Sequence, residues 1–147
     1  MPADDERALR ALVLAYAHHA DRREPELLAE LFEPDASLRM VWRGGAVPPA
    51  ESRGRRQIAK AVGQLRHFVA TFHFVGNHSI DVAGDAASGE VYCEAHHLAS
   101  DGVDHVMFIR YLDRYRRNGG LWRFADRETF VEWTEQRASG AGPERLD

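Results

Sequence analysis

The stretch Thr71–Val82 reads TFHFVGNHSIDV, and the interpretation of the whole chain starts from it. It is rich in aromatic and β-branched residues and is followed by a Gly-Asp turn pair, a pattern that predicts a β-strand. Because side chains alternate along a strand, an imidazole and a carboxamide are expected on one face. The predicted sets are Thr71, His73, Val75 and Asn77 on that face, and Phe72, Phe74 and His78 on the other. His73 is then either a proton-transfer group in an apolar pocket or a hydrogen-bonded core histidine.

Length and composition limit the class of protein. The 147 residues are enough for one domain with one sizeable core, expected over residues 1–137 and followed by a polar tail over 138–147. A formal net charge of −4 argues against a nucleic-acid partner. The single cysteine, Cys93, excludes an intrachain disulfide framework. An acidic N-terminus, and the lack of any apolar run of roughly 18 residues, predict a cytoplasmic protein without a membrane segment.

Helical spacing dominates the first third of the chain, and strand patterns dominate the rest. Helices are predicted from Asp4 or Asp5 to Asp21, from Pro25 to Pro34, and over residues 55–68. Strands are predicted over residues 36–43, 71–82, 89–99, 104–116 and 121–133, and a loop over 44–54.

Helices followed by a run of strands indicate an α+β fold rather than a doubly wound α/β fold. We expect a curved antiparallel or mixed sheet wrapped around the three N-terminal helices, like a cone. The concave interior of such a cone is the default place for a binding pocket.

Two adjacent histidines end the strand that follows the opening stretch. Alternation sends His96 and His97 to opposite faces, so only one of them is able to meet His73. The small apolar residues of that strand share parity with His97, which makes His97 the expected inward histidine. Two surface histidines at a strand end are the alternative.

Asp21 ends the first predicted helix. It is either a cap for the next helix or a carboxylate that orients an imidazole in the pocket. Tyr16 lies five residues earlier, about 140° around an ideal helix, so it is equally well read as a core aromatic residue. Arg127 lies on the last predicted strand between Asp126 and Glu128, which favours a paired surface arginine.

Eight histidines suggest a metal site, but the ligand patterns are lacking. The chain has no His-Glu-x-x-His motif and no Cys/His ligand spacing, and the adjacent pair His18-His19 is unable to face one site on a helix. Gly-rich phosphate motifs and the Gly-x-Ser-x-Gly nucleophile motif are also missing from the sequence. We therefore expect neither a metal nor a cofactor.

Several segments together resemble the SnoaL-like branch of the NTF2-like superfamily. The matching text lies within residues 7–130. It comprises Tyr16–Asp35 (YAHHADRREPELLAELFEPD), Thr71–Asn77 (TFHFVGN), Gly84–Ala86, Arg110–Asp113 and Trp122–Arg123. The resemblance implies the cone fold. It does not imply one activity, because the superfamily includes isomerases, dehydratases, cyclases, hydrolases and non-catalytic subunits.

Within this superfamily the catalytic pattern resembles that of scytalone dehydratase and its relatives. That family has an aspartate after the first helix, a histidine in a His-Phe-Ile-Gly segment and a second histidine ending the following strand. The corresponding residues here are Asp21, His73 and His97. Bacterial bile-acid dehydratases add a tyrosine five residues before the aspartate and an arginine on the last strand, which match Tyr16 and Arg127.

The chain also departs from these patterns. The asparagine of scytalone dehydratase on the penultimate strand falls near Tyr111, so that substrate contact is not retained. Lindane dehydrochlorinase shares the Asp–His pair, but its lysine falls at Tyr16, which disfavours dehydrochlorination.

The sequence thus predicts a cofactor-independent lyase of dehydratase type, or an isomerase, acting on a cyclic, largely apolar carbonyl substrate such as a polyketide or steroid. His73 is the expected base, and Asp21 orients it. The groups expected to polarise the carbonyl or protonate a departing hydroxyl are His97, Tyr16 and Arg127. The expected pocket wall consists of Met40, Trp42, Asn77, Met107, Ile109 and Tyr111. The alternatives are a non-catalytic ligand-binding or accessory protein and a structural interaction module.

A small-molecule substrate and further copies of the chain are the expected partners. Large side chains are predicted on the convex face of the sheet, which suggests that a homodimer or homotrimer buries this face. These side chains are Phe72, Phe74, Trp122 and Phe124.

Overall fold

The computed structural model describes residues 2–140, and the elements below belong to that range. The helices are α1 (Pro2–Asp21), α2 (Pro25–Ala29) and α3 (Gly54–Val62), and Arg43–Gly45 and Gly63–His67 form 3₁₀ segments. The strands are β1 (Phe32–Trp42), β2 (Ala50–Arg53), β3 (Ala70–Ala83), β4 (Ala86–Leu98), β5 (Val103–Asn118) and β6 (Leu121–Ala138). Residues 141–147 of the predicted tail lie outside the described residues. Among residues 2–140, no helix is both long enough and apolar enough to cross a membrane.

One mixed sheet carries the fold, with the strand order β2-β1-β6-β5-β4-β3. Strands β1 and β6 run parallel, and the other neighbours are antiparallel. The amphipathic helix α1 buries one stripe, which includes Leu9, Val13 and Tyr16, against the concave side. The predicted α+β cone with a curved mixed sheet is confirmed.

A β-bulge in β3 changes which side chains face the core. Val75 pairs with Cys93 and His78 pairs with Val91, so two residues of β3 oppose one residue of β4. The bulge reverses the alternation beyond Val75. His78 therefore points inward and Asn77 is exposed, the opposite of the prediction for both residues.

A second bulge corrects the prediction for the convex face. Tyr115 pairs with Phe124 and Arg114 pairs with Asp126, which leaves Ala125 as the extra residue of β6. Because the alternation changes there, Trp122 and Phe124 are buried in the core on the same side as Arg127. The prediction that Trp122 and Phe124 face outward is wrong.

The boundaries around the predicted loop also differ from expectation. Residues 50–53 form β2 and pair with β1, and the expected helix over 55–68 ends at Val62 before the 3₁₀ segment. Phe32, expected in the second helix, is the first residue of β1, and a register shift follows it between Phe32 and Ser37, a stretch that contains Pro34.

The convex face carries a groove of about 280 Å³ between protruding aromatic rings. Phe72 and Phe74 are 62% and 63% exposed, as predicted, and Trp133 is 55% exposed. The Trp133 ring stacks on Phe108 at a centroid distance of 4.5 Å. Arg110 at the groove pairs with carboxylates of the same chain, so the face presents apolar rings beside charges that are already neutralised.

We propose that a second copy of the chain covers this convex face. The exposed rings and the groove beside them form a contiguous apolar surface of the kind that association of copies in a homodimer or homotrimer covers. The double substitution Phe74→Ser and Trp133→Ser should shift the protein toward monomer in sedimentation velocity measurements. The substitution Leu14→Ser on the exposed side of α1 serves as the control and should leave the association state unchanged. A monomeric parent protein would contradict the proposal.

Candidate active site

A cavity of about 220 Å³ opens inside the cone, between α1, α3 and the concave face of the sheet. Its wall is mainly apolar and contains a few polar groups that converge on one space, as expected of a small-molecule site. The lining residues are Tyr16, Ala20, Leu38, Met40, Ala50, Ser52, Ala61, Val62, Leu65, His73, His97, Met107, Ile109, Tyr111 and Thr129.

The carboxylate of Asp21 at the end of α1 contacts β3 through both of its oxygens. Oδ1 accepts hydrogen bonds from His73 Nδ1 at 2.6 Å and from Thr71 Oγ1 at 3.0 Å. Oδ2 accepts the backbone N–H of His73 at 2.9 Å. Since the His73 side chain is only 7% exposed, its ring is held both by packing and by the carboxylate.

This contact determines which ring nitrogen of His73 is reactive. Burial alone would raise the pKa of Asp21, but the side-chain and backbone hydrogen bonds from His73 outweigh it, so the pKa is lowered. An ionised carboxylate only accepts hydrogen bonds, so Nδ1 of His73 carries the proton. Nε2 is then the basic nitrogen of the neutral ring, and Asp21 stabilises the imidazolium that forms when Nε2 takes a proton.

His97 lies beside His73 with its ring nearly perpendicular, at a centroid distance of 5.7 Å. Its Nδ1 donates to the carbonyl oxygen of His105 at 3.0 Å, which leaves Nε2 as an acceptor. Burial lowers the pKa of His97, so the ring is neutral near pH 7. The prediction that His97, rather than His96, is the inward histidine is confirmed, because His97 is 5% exposed and lines the cavity.

Two tyrosines form another part of the cavity wall, with an arginine behind them. The rings of Tyr16 and Tyr111 meet edge to face at 5.7 Å. The guanidinium carbon of Arg127 lies 4.2 Å from the Tyr16 ring centre and 3.6 Å from the Tyr111 ring centre. Burial raises the pKa of Tyr16, and the positive charge of Arg127 opposes that rise.

Arg127 is fully buried and is paired with a buried carboxylate. Its Nε and one terminal nitrogen donate to the two oxygens of Asp113 at 2.8 and 3.2 Å. Tyr115 donates to the same carboxylate at 2.7 Å, so its hydroxyl accepts from His78 Nε2 at 3.0 Å. Burial lowers the pKa of Arg127, but the charge of Asp113 and the other neighbouring groups raise it by more, so the pair stays ionised.

The structure brings most of the predicted site residues together. His73, His97 and Tyr16 line the cavity and Asp21 holds His73 from behind, whereas Arg127 lies behind Tyr16 and Tyr111 and is not part of the wall. Of the predicted wall residues, Met40, Met107, Ile109 and Tyr111 line the cavity.

Two predicted wall residues lie elsewhere. Trp42 packs against the core but does not line the cavity, and Asn77 borders the convex groove because of the bulge in β3.

Sequence reasoning missed the polar lining residues Ser52 and Thr129 and the apolar wall over residues 50–65. Thr129 shares strand parity with Arg127, a signal that could have identified it. Ser52 lies in a segment whose Gly and Pro content indicated a loop. Alternation along β2 would have been needed to place it.

Other reactive groups in the core are unsuited to direct chemistry. Burial raises the pKa of Cys93 to about 11, so its thiol stays protonated and acts as a small core residue. Among residues 2–140, no group of three or more His, Cys, Asp or Glu side chains is arranged to hold a metal ion.

Together the helices, the mixed sheet and the histidine–carboxylate pair in the cavity define a protein of the NTF2-like class. The chain belongs to the SnoaL-like domain family, whose model matches residues 1–128. An uncharacterized protein of Mycobacterium tuberculosis is 26% identical over 125 residues, which cover 84% of this chain and 82% of the relative.

Solved structures agree on the fold. A provisionally assigned scytalone dehydratase of Novosphingobium aromaticivorans superposes with a TM-score of 0.81 at 26% identity, over 96% of this chain and 93% of that chain. A type 2 hexachlorocyclohexane dehydrochlorinase gives a TM-score of 0.80 at 16% identity, with the same coverage of 96% and 93%. The scaffold is therefore one that lyase-type proteins use.

Replacing Arg127 by Met should destabilise the protein by about 3–5 kcal/mol, because Asp113 would remain buried without its counter-charge. The double substitution Arg127→Met with Asp113→Asn should recover a large part of that loss. Urea unfolding measures both. The control is Arg39→Met, which removes a half-exposed partner of Glu128 and should change the free energy of unfolding little. A mild effect of Arg127→Met would contradict the buried-pair interpretation.

His78 should make the stability depend on pH. Burial lowers its pKa from the ordinary 6.5 to about 4. Between these pH values the unfolded chain binds a proton at His78 that the folded protein does not bind. The contribution of His78 to the free energy of unfolding is therefore constant above about pH 6.5 and decreases as the pH falls toward 4. The substitution His78→Gln should flatten this acid slope in urea titrations, whereas His67→Gln at an exposed position should not. Parallel slopes for His78→Gln and the parent would refute it.

Proposed function

We propose that this chain is a cofactor-independent lyase of dehydratase type, or an isomerase, that transfers protons with the Asp21–His73 pair. The observation that carries the proposal is the 2.6 Å contact between Asp21 Oδ1 and His73 Nδ1 beside an open, mainly apolar cavity. A buried histidine with a carboxylate on one nitrogen and a pocket on the other side is suited to general base catalysis.

In the proposed reaction His73 Nε2 removes a proton from the carbon next to a substrate carbonyl. The electrons of that C–H bond form an enolate, and Asp21 stabilises the resulting imidazolium. In a dehydration the enolate expels a β-hydroxyl, and His73 returns its proton to that oxygen, so water leaves and a conjugated enone remains. In an isomerisation the proton returns to a different carbon. Either sequence restores neutral His73.

Tyr16 and Tyr111 are the proposed donors to the carbonyl oxygen. Each has a raised pKa and therefore keeps its hydroxyl proton, and the cation of Arg127 behind both rings favours negative charge at their hydroxyls. His97 has its Nδ1 proton on the carbonyl of His105, so its Nε2 accepts a hydrogen bond from a substrate hydroxyl. Arg127 thus acts through the tyrosines.

The cavity also limits the substrate. A cavity of about 150 Å³ holds benzene, so about 220 Å³ is suited to one substituted ring or two small fused rings. This size favours such compounds over a four-ring steroid. No Lys, Arg, Asp or Glu is among the described residues that line the cavity, and burying an unpaired ionic group would be costly. We therefore propose an uncharged carbonyl compound.

A panel of one- and two-ring β-hydroxy ketones and β,γ-unsaturated ketones tests the proposal, with enone formation followed by ultraviolet absorbance. On any substrate that is turned over, His73→Ala should lower kcat by about 10²–10⁴-fold, because one positioned base contributes that much. Asp21→Asn should also lower kcat, because an amide no longer holds the proton on His73 Nδ1 or stabilises the imidazolium.

The matched control is His96→Ala. His96 is adjacent in the chain to His97 and is also paired with a carboxylate, Asp104, at 2.6 Å, but it does not line the cavity. This variant should keep parental turnover. Parental activity in His73→Ala would disprove the mechanism, and tight binding of ring ketones without turnover would favour the non-catalytic alternative.

A further inference from the structure

Arg23 adopts a backbone conformation that usually belongs to glycine. Its φ angle is 58°, and it is the only non-glycine residue with positive φ among residues 2–140. The N–H of Arg23 bonds to the carbonyl of Ala20, and the N–H of Glu24 bonds to the carbonyl of His19. This is the Schellman ending of a helix, in which glycine is the usual residue because any side chain adds strain. An arginine at this position suggests that its side chain offsets the strain.

The side chain of Arg23 reaches a segment more than forty residues away. One terminal nitrogen donates to the carbonyl of Leu65, and the other donates to the carbonyl of Phe68 at 2.7 Å. These carbonyls lie at and just after the carboxyl end of the 3₁₀ segment Gly63–His67, and the carbonyl of Leu65 also accepts the backbone N–H of Phe68 at 3.1 Å. The guanidinium of Arg23 therefore adds a second donor to the carbonyl of Leu65 and one donor to that of Phe68, and its positive charge opposes the negative end of the segment.

Both residues whose carbonyls Arg23 contacts belong to the cavity or pack against it. Leu65 is part of the cavity wall. The Phe68 ring packs against His97 at a centroid distance of 5.2 Å. Arg23 itself follows Asp21 by two residues, so its position depends on the same helix end that orients His73. One side chain therefore connects the carboxylate end of the site to the wall and to the packing of the second histidine.

We propose that Arg23 is a positioning residue that clamps the segment Gly63–Phe68 against the end of α1 and so fixes the cavity wall and the His97 ring. A role of Arg23 in catalysis rests on the function proposed above. The structural readouts below require no substrate, so a failure of the clamp is distinguishable from a failure of that function.

The informative variant is Arg23→Gly, because glycine suits the backbone conformation and removes only the side chain. The amide protons of Phe68 and Val69, which bond to the carbonyls of Leu65 and Leu98, should exchange about ten- to a hundredfold faster with solvent. The melting temperature should stay constant or rise. Arg23→Lys retains the charge but lacks the two-pronged guanidinium, so it should give an intermediate increase in exchange.

A histidine NMR titration provides the second readout. Burial lowers the pKa of His97, so a Phe68 ring that moves away should let this pKa rise toward its ordinary value. The other groups that act on His97 are His73, Asp21, Asp104 and the carbonyl of His105, and none of them is substituted in the variant. A helix end that moved Asp21 away from the site would instead lower the pKa of His97, because the charge of Asp21 raises it.

The matched control is Arg22→Ala, which removes the neighbouring, largely exposed arginine that pairs with Glu24. It should leave both the amide exchange and the His97 titration at parental values. The clamp is supported if Arg23→Gly changes both readouts and Arg22→Ala changes neither. Parental exchange and titration in Arg23→Gly, or equal changes in both variants, would overturn it.

Discussion

The contact between Asp21 and β3 joins the fold to the site. Strand β3 is an edge of the sheet, and the backbone N–H of His73 bonds to Asp21 rather than to another strand. A helix end thereby covers part of an exposed edge, which would otherwise be free to pair with another chain. The same carboxylate sets the tautomer of His73. The residue that joins the end of α1 to the edge of the sheet is therefore also the residue that fixes the tautomer of His73.

Sequence reasoning placed the central polar residues where the chain is regular. His73 precedes the bulge in β3, and His97 lies on an unbroken stretch of β4, so alternation assigned both to the concave face. Alternation assigned Asn77, Trp122 and Phe124 to the wrong faces. A bulge lies between each of them and the residue, His73 or Arg127, from which the alternation is counted. A bulge depends on how two strands pair, and a single strand pattern does not reveal it.

Arg127 shows a different limit of sequence reasoning. Its chain neighbours Asp126 and Glu128 suggested a surface pair, but alternation along β6 sends both away from the core. The partner is Asp113, which lies directly opposite on β5. A buried guanidinium needs such a partner, since desolvation of an unpaired charge is too costly. The family resemblance drew attention to Arg127, but only the structure shows that Arg127 lies behind the two tyrosines.

Charge in this site is held one layer behind the surface that a substrate would meet. Asp21 lies behind His73, and Arg127 lies behind Tyr16 and Tyr111, while the wall itself is apolar or neutral. An uncharged molecule is then able to enter without displacing the partners of an ion. In the proposed reaction, the negative charge that develops on the substrate oxygen and the positive charge that develops on His73 would both meet groups that are already oriented. Such preorganised groups stabilise a transition state without reorganising during the reaction.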